Sequence, residues 1–370
     1  MCKEIFKCVI AGGGTGGHIF PSLAIANELK NDKQTKWSIL FVGAKGKMEM
    51  NIIPKHGYKI QGLWISGFQR KDLLKNITLP LKCIWSLLSA FSIIGRFQPD
   101  LIIGTGGYAS APTLIIGVLR KIPIMLQEQN AYPGWVNRYL GKYAQRICVA
   151  YPNMKKFFPQ EKIALTGNPL RKDISIITDS QEAKRNFRLN PKKNVALIIG
   201  GSQGAETLNH ATFNGLKSLE KNEIQVIWQT GKRNYENWKT KLTREQQKEV
   251  YITPFLENIS EAYAAADLIV SRGGAIALSE IAKVQKPTLI VPSPNVAANH
   301  QKRNVQALEK ANAVRSIPDN LATQKLIQTL INLSKDKKQQ QNLIQNLKPF
   351  AHQHAKKEIL GEIFKIVRKK

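Results

Sequence analysis

The stretch that decides the fold is Ala11-Gly12-Gly13-Gly14-Thr15-Gly16-Gly17-His18-Ile19-Phe20-Pro21, set directly behind the apolar run Ile5 to Ile10. An apolar run, five glycines and an amphipathic run from Ser22 to Leu29 read as buried strand, turn and helix. Glycines there let the backbone approach a ligand and leave amide N–H groups at a helix N-terminus, where anions bind. Gly12, Gly14 and Gly17 also satisfy the dinucleotide fingerprint, which further requires an acidic residue at the end of the second strand to hold a ribose. That strand, Ser38 to Val42, runs into Gly43-Ala44-Lys45 with no carboxylate, so a dinucleotide reading is disfavoured. His18 places an ionisable side chain at the mouth of the turn; capping the helix is its plainest alternative use.

Outward from this turn, short apolar strands alternate with helical patterns. The clearest strands are 8–11, 39–42, 101–104, 122–126, 195–200, 226–229, 268–271 and 288–291. Such alternation predicts parallel sheets built from βαβ units. Glycine turns follow four of these strands: Gly12 to Gly17, Gly104-Thr105-Gly106-Gly107, Gly200-Gly201-Ser202-Gln203-Gly204, and Gly273-Gly274. Two fall in each half, which predicts an α/β chain of two Rossmann-like domains facing across a cleft, with ligands gathered at the C-terminal strand ends. The boundary is expected at Gly167-Asn168-Pro169, giving domains 1–168 and 169–348. After the break at Lys348-Pro349-Phe350, a segment 349–370 carries Ile359, Ile363, Ile366 and Val367 on one helical face.

With 370 residues, two domains of ordinary size are the default, and 43% hydrophobic with 22% charged residues describes a globular chain. The charge balance is unusual: 55 basic against 26 acidic residues gives +29, a field that attracts anionic membrane faces or nucleic acid. Aromatics are not interleaved with the basic runs in an RNA-binding pattern, so nucleic acid is not an expected partner. Cys2, Cys8, Cys83 and Cys148 are scattered, which suits a reducing, cytosolic compartment rather than zinc or redox chemistry. The N-terminus enters a strand at once, leaving no room for a signal peptide.

Between Pro80 and Arg96, Ser86, Ser89 and Ser92 form one stripe while Ile84, Leu87, Leu88, Phe91 and Ile94 fill the opposite face, with Trp85 at the edge. Lys71, Lys75, Lys82 and Arg96 flank it. The uncharged run Cys83 to Gly95 is shorter than the ~20 residues that span a bilayer. The segment is either a core helix over the sheet or a membrane-touching surface, apolar in the middle and basic around it.

Several motifs together resemble one family: GGGTGGHIFP (Gly12 to Pro21), GGYAS (Gly106 to Ser110), EQNAYPGWVNR (Glu128 to Arg138), GNPLR (Gly167 to Arg171), GGSQGA (Gly200 to Ala205), SRGGAIALSE (Ser271 to Glu280) and HQKRN (His300 to Asn304). In this order they are similar to the MurG family of bacterial peripheral-membrane glycosyltransferases. That family moves N-acetylglucosamine from UDP-N-acetylglucosamine onto lipid I, an undecaprenyl-pyrophosphoryl-MurNAc-pentapeptide, making lipid II for peptidoglycan. The resemblance implies a GT-B fold whose C-terminal helix returns to the first domain, a site on the cytoplasmic face of the cell membrane, and other wall-synthesis proteins as further partners.

The resemblance also implies roles. The second domain would hold the UDP-sugar: Ser202 and Gln203 at one helix start, Ala275, Ile276, Ala277, Leu278 and Ser279 at the other, and Arg171 as a planar cation for the phosphates. Glu280 would accept the ribose hydroxyls, Leu256 would lie beside the uracil through its backbone, and His300 and Gln301 would read the sugar. By itself Leu256 reads as a core residue. On the acceptor side Thr15, Gly16 and Gly17 would face the reaction centre, with Asn130 and Asn137 nearby. Family members commonly have His where this chain has Gln127, and some have Ser where it has Gly274.

The implied reaction is one displacement at the anomeric carbon with inversion: the acceptor 4-hydroxyl attacks, a base removes its proton and UDP leaves. An unperturbed imidazole titrates near pH ~6.5, which makes His18 the first candidate base and Glu128 the second. No Asp-x-Asp motif is present, so neither metal nor cofactor is expected, and helix dipoles with Arg171 would carry the leaving-group charge. The alternatives are another UDP-sugar enzyme on this fold (an epimerase, or a transferase with a soluble acceptor) and a non-catalytic polyanion-binding protein.

Overall fold

A computed structural model describes residues 5–68, 76–170, 174, 179–201, 203–294 and 299–368. Cys2, Lys71, Lys75, Arg171 and Ser202 lie outside the described residues. The chain divides at 171/172 and 351/352 into two compact units, the first taking back the C-terminal segment.

The first unit carries β1 (Ile5–Gly12), β2 (Lys36–Ala44), β3 (Lys59–Leu63), β4 (Leu101–Gly106), β5 (Ile124–Glu128), β6 (Arg146–Val149) and β7 (Ile163–Leu165). They form one sheet in the order β3-β2-β1-β4-β5-β6-β7, and every pairing is parallel. The second unit repeats the plan with β8 (Asn194–Ile199), β9 (Ile224–Gln229), β10 (Val250–Thr253), β11 (Leu268–Ser271), β12 (Thr288–Ile290) and β13 (Arg315–Ser316), ordered β10-β9-β8-β11-β12-β13, again parallel. In both units the strand order reverses beside the first strand, at β1/β4 and at β8/β11. These are the topological switch points where such sheets leave a crevice. The four glycine turns follow these same four strands.

Both faces of each sheet are covered, so the central strands are apolar along their whole length; Cys8, Val9, Ile10 and Ala11 of β1 are all buried. The strand expected from Ile122 begins instead at Ile124, because Pro123 has no N–H to give a ladder. β3, β6, β7, β10 and β13 were not among the clear sequence signals. They are two to five residues long, and they are the edge or near-edge strands.

The C-terminal helix Ala355–Val367 buries Ile359, Ile363, Ile366 and Val367 in the first unit's core, beside Leu23, Ile25 and Leu29. Arg146 Nε on β6 meets Glu362 Oε2 at 2.5 Å and holds the helix across the sheet.

The helix Leu79–Phe97 corrects the face read from the sequence. Its 19 residues are long and apolar enough to cross a membrane by length and composition alone. Yet Ala90, Ile93 and Ile94 enter the first unit's core. Ser86 is buried with them, its hydroxyl satisfied by the Cys83 carbonyl at 2.8 Å, so part of the serine stripe turns inward and Ile94 does not face out. The opposite face is open: Leu81, Ile84, Trp85, Leu88 and Phe91 are 63, 59, 59, 61 and 51% exposed.

Candidate functional site

At the switch point of the first unit, helix Gly16–Lys30 starts at Thr15, an extended N-cap, and has no acidic residue in its first turn. His18 is therefore in that first turn, half-buried, at the positive end of the helix. Its Nδ1 lies 2.9 Å from the Thr105 carbonyl oxygen and 3.0 Å from Gln129 Oε1. Two glycines make room for the ring: a Cβ on Gly106 would come to 3.0 Å from His18 Cε1 and Nδ1, and one on Gly107, at φ +80°, to 3.1 Å from His18 Cδ2 and 2.5 Å from the Gly13 oxygen. Thr15 and Gly17 are exposed and Gly16 half-buried.

Beneath the turn lies a carboxylate that the sequence reading missed. Glu49 opens the short helix Glu49–Lys55 and is 1% exposed. Both its oxygens accept from the Gly14 amide at 3.1 Å, and Oε1 also accepts from the Ala44 amide at 3.0 Å. A Cβ on Gly13 would come to 2.2 Å from Oε1. The second strand is thus followed by an acid after all, but its oxygens engage backbone rather than a ribose. Of the turn's amides, that of Gly14 is therefore engaged within the fold, by a buried carboxylate.

Glu128 ends β5 and is 2% exposed. Its carboxylate accepts from the Asn130 amide (2.9 Å), Asn130 Nδ2 (3.1 Å), the Gly134 amide (3.1 Å) and Asn137 Nδ2 (2.9 Å). Four donors engage its lone pairs, so Glu128 shapes the loop that carries Asn130. Asn137 is buried by the same contacts, and its Oδ1 has no hydrogen-bond partner among the described residues. Gln127, where the family commonly has histidine, donates to Asn168 Oδ1 at 2.9 Å.

In the second unit, Gly274 caps helix Ala275–Val284, which has no acidic residue in its first turn; a Cβ on Gly274 would meet open space. The other glycine turn leads into helix Glu206–Lys221, whose first residue is a carboxylate. Of the two helix starts, Ala275-Ile276-Ala277 has the better field for a phosphate. Gln301 Oε1 accepts from the Gly273 amide (3.1 Å) and the Ser293 amide (2.8 Å), which fixes its amide beside this turn. His300, beside it at the start of helix His300–Glu309, is half-buried. Glu280 is buried on the second turn of Ala275–Val284, beyond the buried Leu278 and half-buried Ser279, and its Oε2 accepts from Tyr263 Oη at 3.1 Å. Gln203 is exposed.

Leu256 has a buried side chain, in keeping with its plain core reading. Its loop is tied to the first glycine turn of this unit by Gln229, whose Nε2 donates to the Gly201 carbonyl (2.8 Å) and the Pro254 carbonyl (3.3 Å). Gln229 ends β9 among apolar residues, and nothing in its sequence context marked it.

Residues 8–149 match the glycosyltransferase family 28 N-terminal domain, and residues 195–359 match the family 28 C-terminal domain. A UDP-N-acetylglucosamine–N-acetylmuramyl-(pentapeptide) pyrophosphoryl-undecaprenol N-acetylglucosamine transferase of Flavobacterium psychrophilum is 43% identical over 365 residues, covering 98% of each chain. The same-named protein of Cytophaga hutchinsonii is 44% identical over 366 residues, covering 99% of this chain and 98% of that one. The crystal structure of Acinetobacter baumannii MurG superposes with a TM-score of 0.75 at 26% identity, over 98% of this chain and 99% of that one. With both halves matched in order and relatives this similar from end to end, the chain belongs to the MurG family of glycosyltransferase family 28.

Proposed function

We propose that this chain transfers N-acetylglucosamine from UDP-N-acetylglucosamine to the 4-hydroxyl of MurNAc in lipid I, forming lipid II, by a single inverting displacement. The observation that carries the reading is the end-to-end similarity to relatives that bear the name of this reaction. The first unit is the acceptor side and the second the donor side. His18 takes the proton of the attacking hydroxyl: its imidazole stands at the first switch point, whereas Glu128 is held by four donors. Thr15, Gly16, Gly17, Asn130 and the Asn137 Oδ1 line the acceptor's approach. UDP leaves against the N-terminus of Ala275–Val284, where oriented amides stabilise the diphosphate, with Arg171 and Ser202 assisting. Glu280 holds the ribose, the Leu256 backbone the uracil, and Gln203, His300 and Gln301 the remainder of the donor.

Because the acceptor carries a polyprenyl chain, the enzyme works at the cytoplasmic membrane surface, and the exposed face of Leu79–Phe97 is the surface that meets it. Basic groups sit beside aromatics here: the Arg120 guanidinium lies 3.9 Å from the Phe91 ring centre, and Lys82 Nζ of the helix lies 5.8 Å from that of Trp64, just after β3. Release of UDP from UDP-N-acetylglucosamine, followed with and without a lipid I analogue, tests the reading. Acceptor-dependent release is expected, and release that ignores the acceptor overturns it.

A further inference from the structure

We infer that the Thr105 carbonyl and Gln129 hold His18 in the tautomer protonated at Nδ1, which assigns the proton-accepting lone pair to Nε2 and makes Gln129 a positioning residue. The inference rests on the reading of His18 as the base.

The argument starts from Gln129, which is 1% exposed. One end of its side-chain amide is surrounded by oxygens: the Thr105 carbonyl at 2.8 Å, the Gln127 carbonyl at 3.1 Å and Gln127 Oε1. An amide oxygen placed there would meet only acceptors, whereas an NH2 group has two hydrogens to share among them, so the amide orientation is fixed and its oxygen is the atom that faces His18. His18 Nδ1 therefore meets two oxygens, Gln129 Oε1 at 3.0 Å and the Thr105 carbonyl at 2.9 Å. Neither can donate. Nδ1 must carry the hydrogen, and in the neutral ring the lone pair then resides on Nε2.

The arrangement does for this imidazole what a carboxylate does in a catalytic triad, but with neutral groups. When Nε2 takes the acceptor's proton, the ring becomes cationic and its Nδ1–H bonds to the two oxygens become charge-assisted and stronger. The support runs deeper: Gln127 Nε2 donates to Asn168 Oδ1, and Asn168 Nδ2 donates to the Gln129 carbonyl at 3.2 Å. Gln127 thus holds the amide that holds the base.

Nitrogen-15 NMR of the full-length protein labelled at histidine, with His18 assigned by comparison with His18→Ala, reads the tautomer directly. A pyrrole-type Nδ1 and a pyridine-type Nε2 are expected; the reverse pattern overturns the inference whatever the activity. Gln129→Met keeps the volume but removes the oxygen. It should lower kcat about 10–100-fold, the worth of one hydrogen bond to a charged group, and leave the KM for UDP-N-acetylglucosamine unchanged. A folded Gln129→Met enzyme with wild-type kcat removes Gln129 from this role. Full turnover by His18→Ala would instead overturn the base reading, while the NMR pattern still decides the tautomer.

Discussion

The Glu49 carboxylate grips the Gly14 amide with both oxygens at 3.1 Å across 35 residues of sequence, and so ties the first glycine turn to the end of β2. Glu49→Ala leaves two backbone amides without this acceptor. A cost of about 2–4 kcal/mol in unfolding free energy is expected, from about 1–2 kcal/mol per orphaned group. Glu49→Gln should lose less, since one amide oxygen can still accept while the NH2 faces the Gly14 donor. Urea denaturation of the two variants checks the order; equal stability of Glu49→Ala and wild type would show that the turn holds itself.

His18 and Glu128 separate by kinetics. His18→Ala should lower kcat by about 10²–10⁴ with UDP binding near normal. Glu128→Gln places an NH2 group among four donors, so it should destabilise the Asn130 loop and raise the acceptor KM. A folded His18→Ala variant that keeps most of its turnover, beside a stable Glu128→Gln variant that loses it, would return the base assignment to Glu128.

How much of this was legible in the sequence follows from the range of each interaction. The glycine turns at the switch points could be read because glycines next to apolar strands are a local pattern. Glu49 could not, because its partners Gly14 and Ala44 become neighbours only when the helix after β2 folds back. Gln129 and Gln229 look like polar residues at strand ends until three oxygens or two carbonyls are seen around their amides. The helix Leu79–Phe97 was ambiguous because a serine buried against a sheet and one facing solvent have the same spacing; only the burial of Ser86 beside the first unit's core distinguishes them.

On the donor side, Glu280→Ala should raise the KM for UDP-N-acetylglucosamine ten- to a hundred-fold, about 1.5–3 kcal/mol for a hydrogen bond to a charged group. Glu280→Gln should do so less. Tyr263→Phe removes only the hydroxyl 3.1 Å from Glu280 Oε2 and should cost about 1 kcal/mol in donor affinity with kcat preserved. An unchanged donor KM in Glu280→Ala would exclude Glu280 from the site.

The C-terminal helix should loosen in acid. Burial pushes the Glu362 carboxyl up, but hydrogen bonds from Lys365 and Arg146 outweigh it and hold the group below its ordinary value. A carboxyl depressed in the folded state stabilises it above the unfolded pKa of about 4.3, and that stabilisation is lost as pH falls through the folded value. Glu362→Gln should therefore lower Tm at neutral pH, and the gap to wild type should close below about pH 4. A gap that stays constant with pH would mean that packing, not charge, holds the helix.

The membrane surface can be tested without disturbing the core, because the side chains concerned are already in solvent. Trp85 and Leu88 are 59% and 61% exposed, while the same helix is anchored by Ala90, Ile93 and Ile94. Trp85→Ser with Leu88→Ser should therefore fold with near-wild-type stability, unlike a double change on the inner face. Apolar side chains that enter the headgroup boundary contribute in proportion to the area they bury, and each nearby basic residue adds about 1 kcal/mol toward anionic lipid. With +29 net charge, the wild type should sediment with phosphatidylglycerol vesicles at low salt, weakly with phosphatidylcholine, and be released as salt rises. The double variant should bind the anionic vesicles less and turn over a long-chain lipid acceptor more slowly, yet use a short-chain water-soluble acceptor at the wild-type rate. That contrast separates membrane docking from damage to the site. Equal vesicle binding by wild type and variant would locate the membrane contact on another face of the protein.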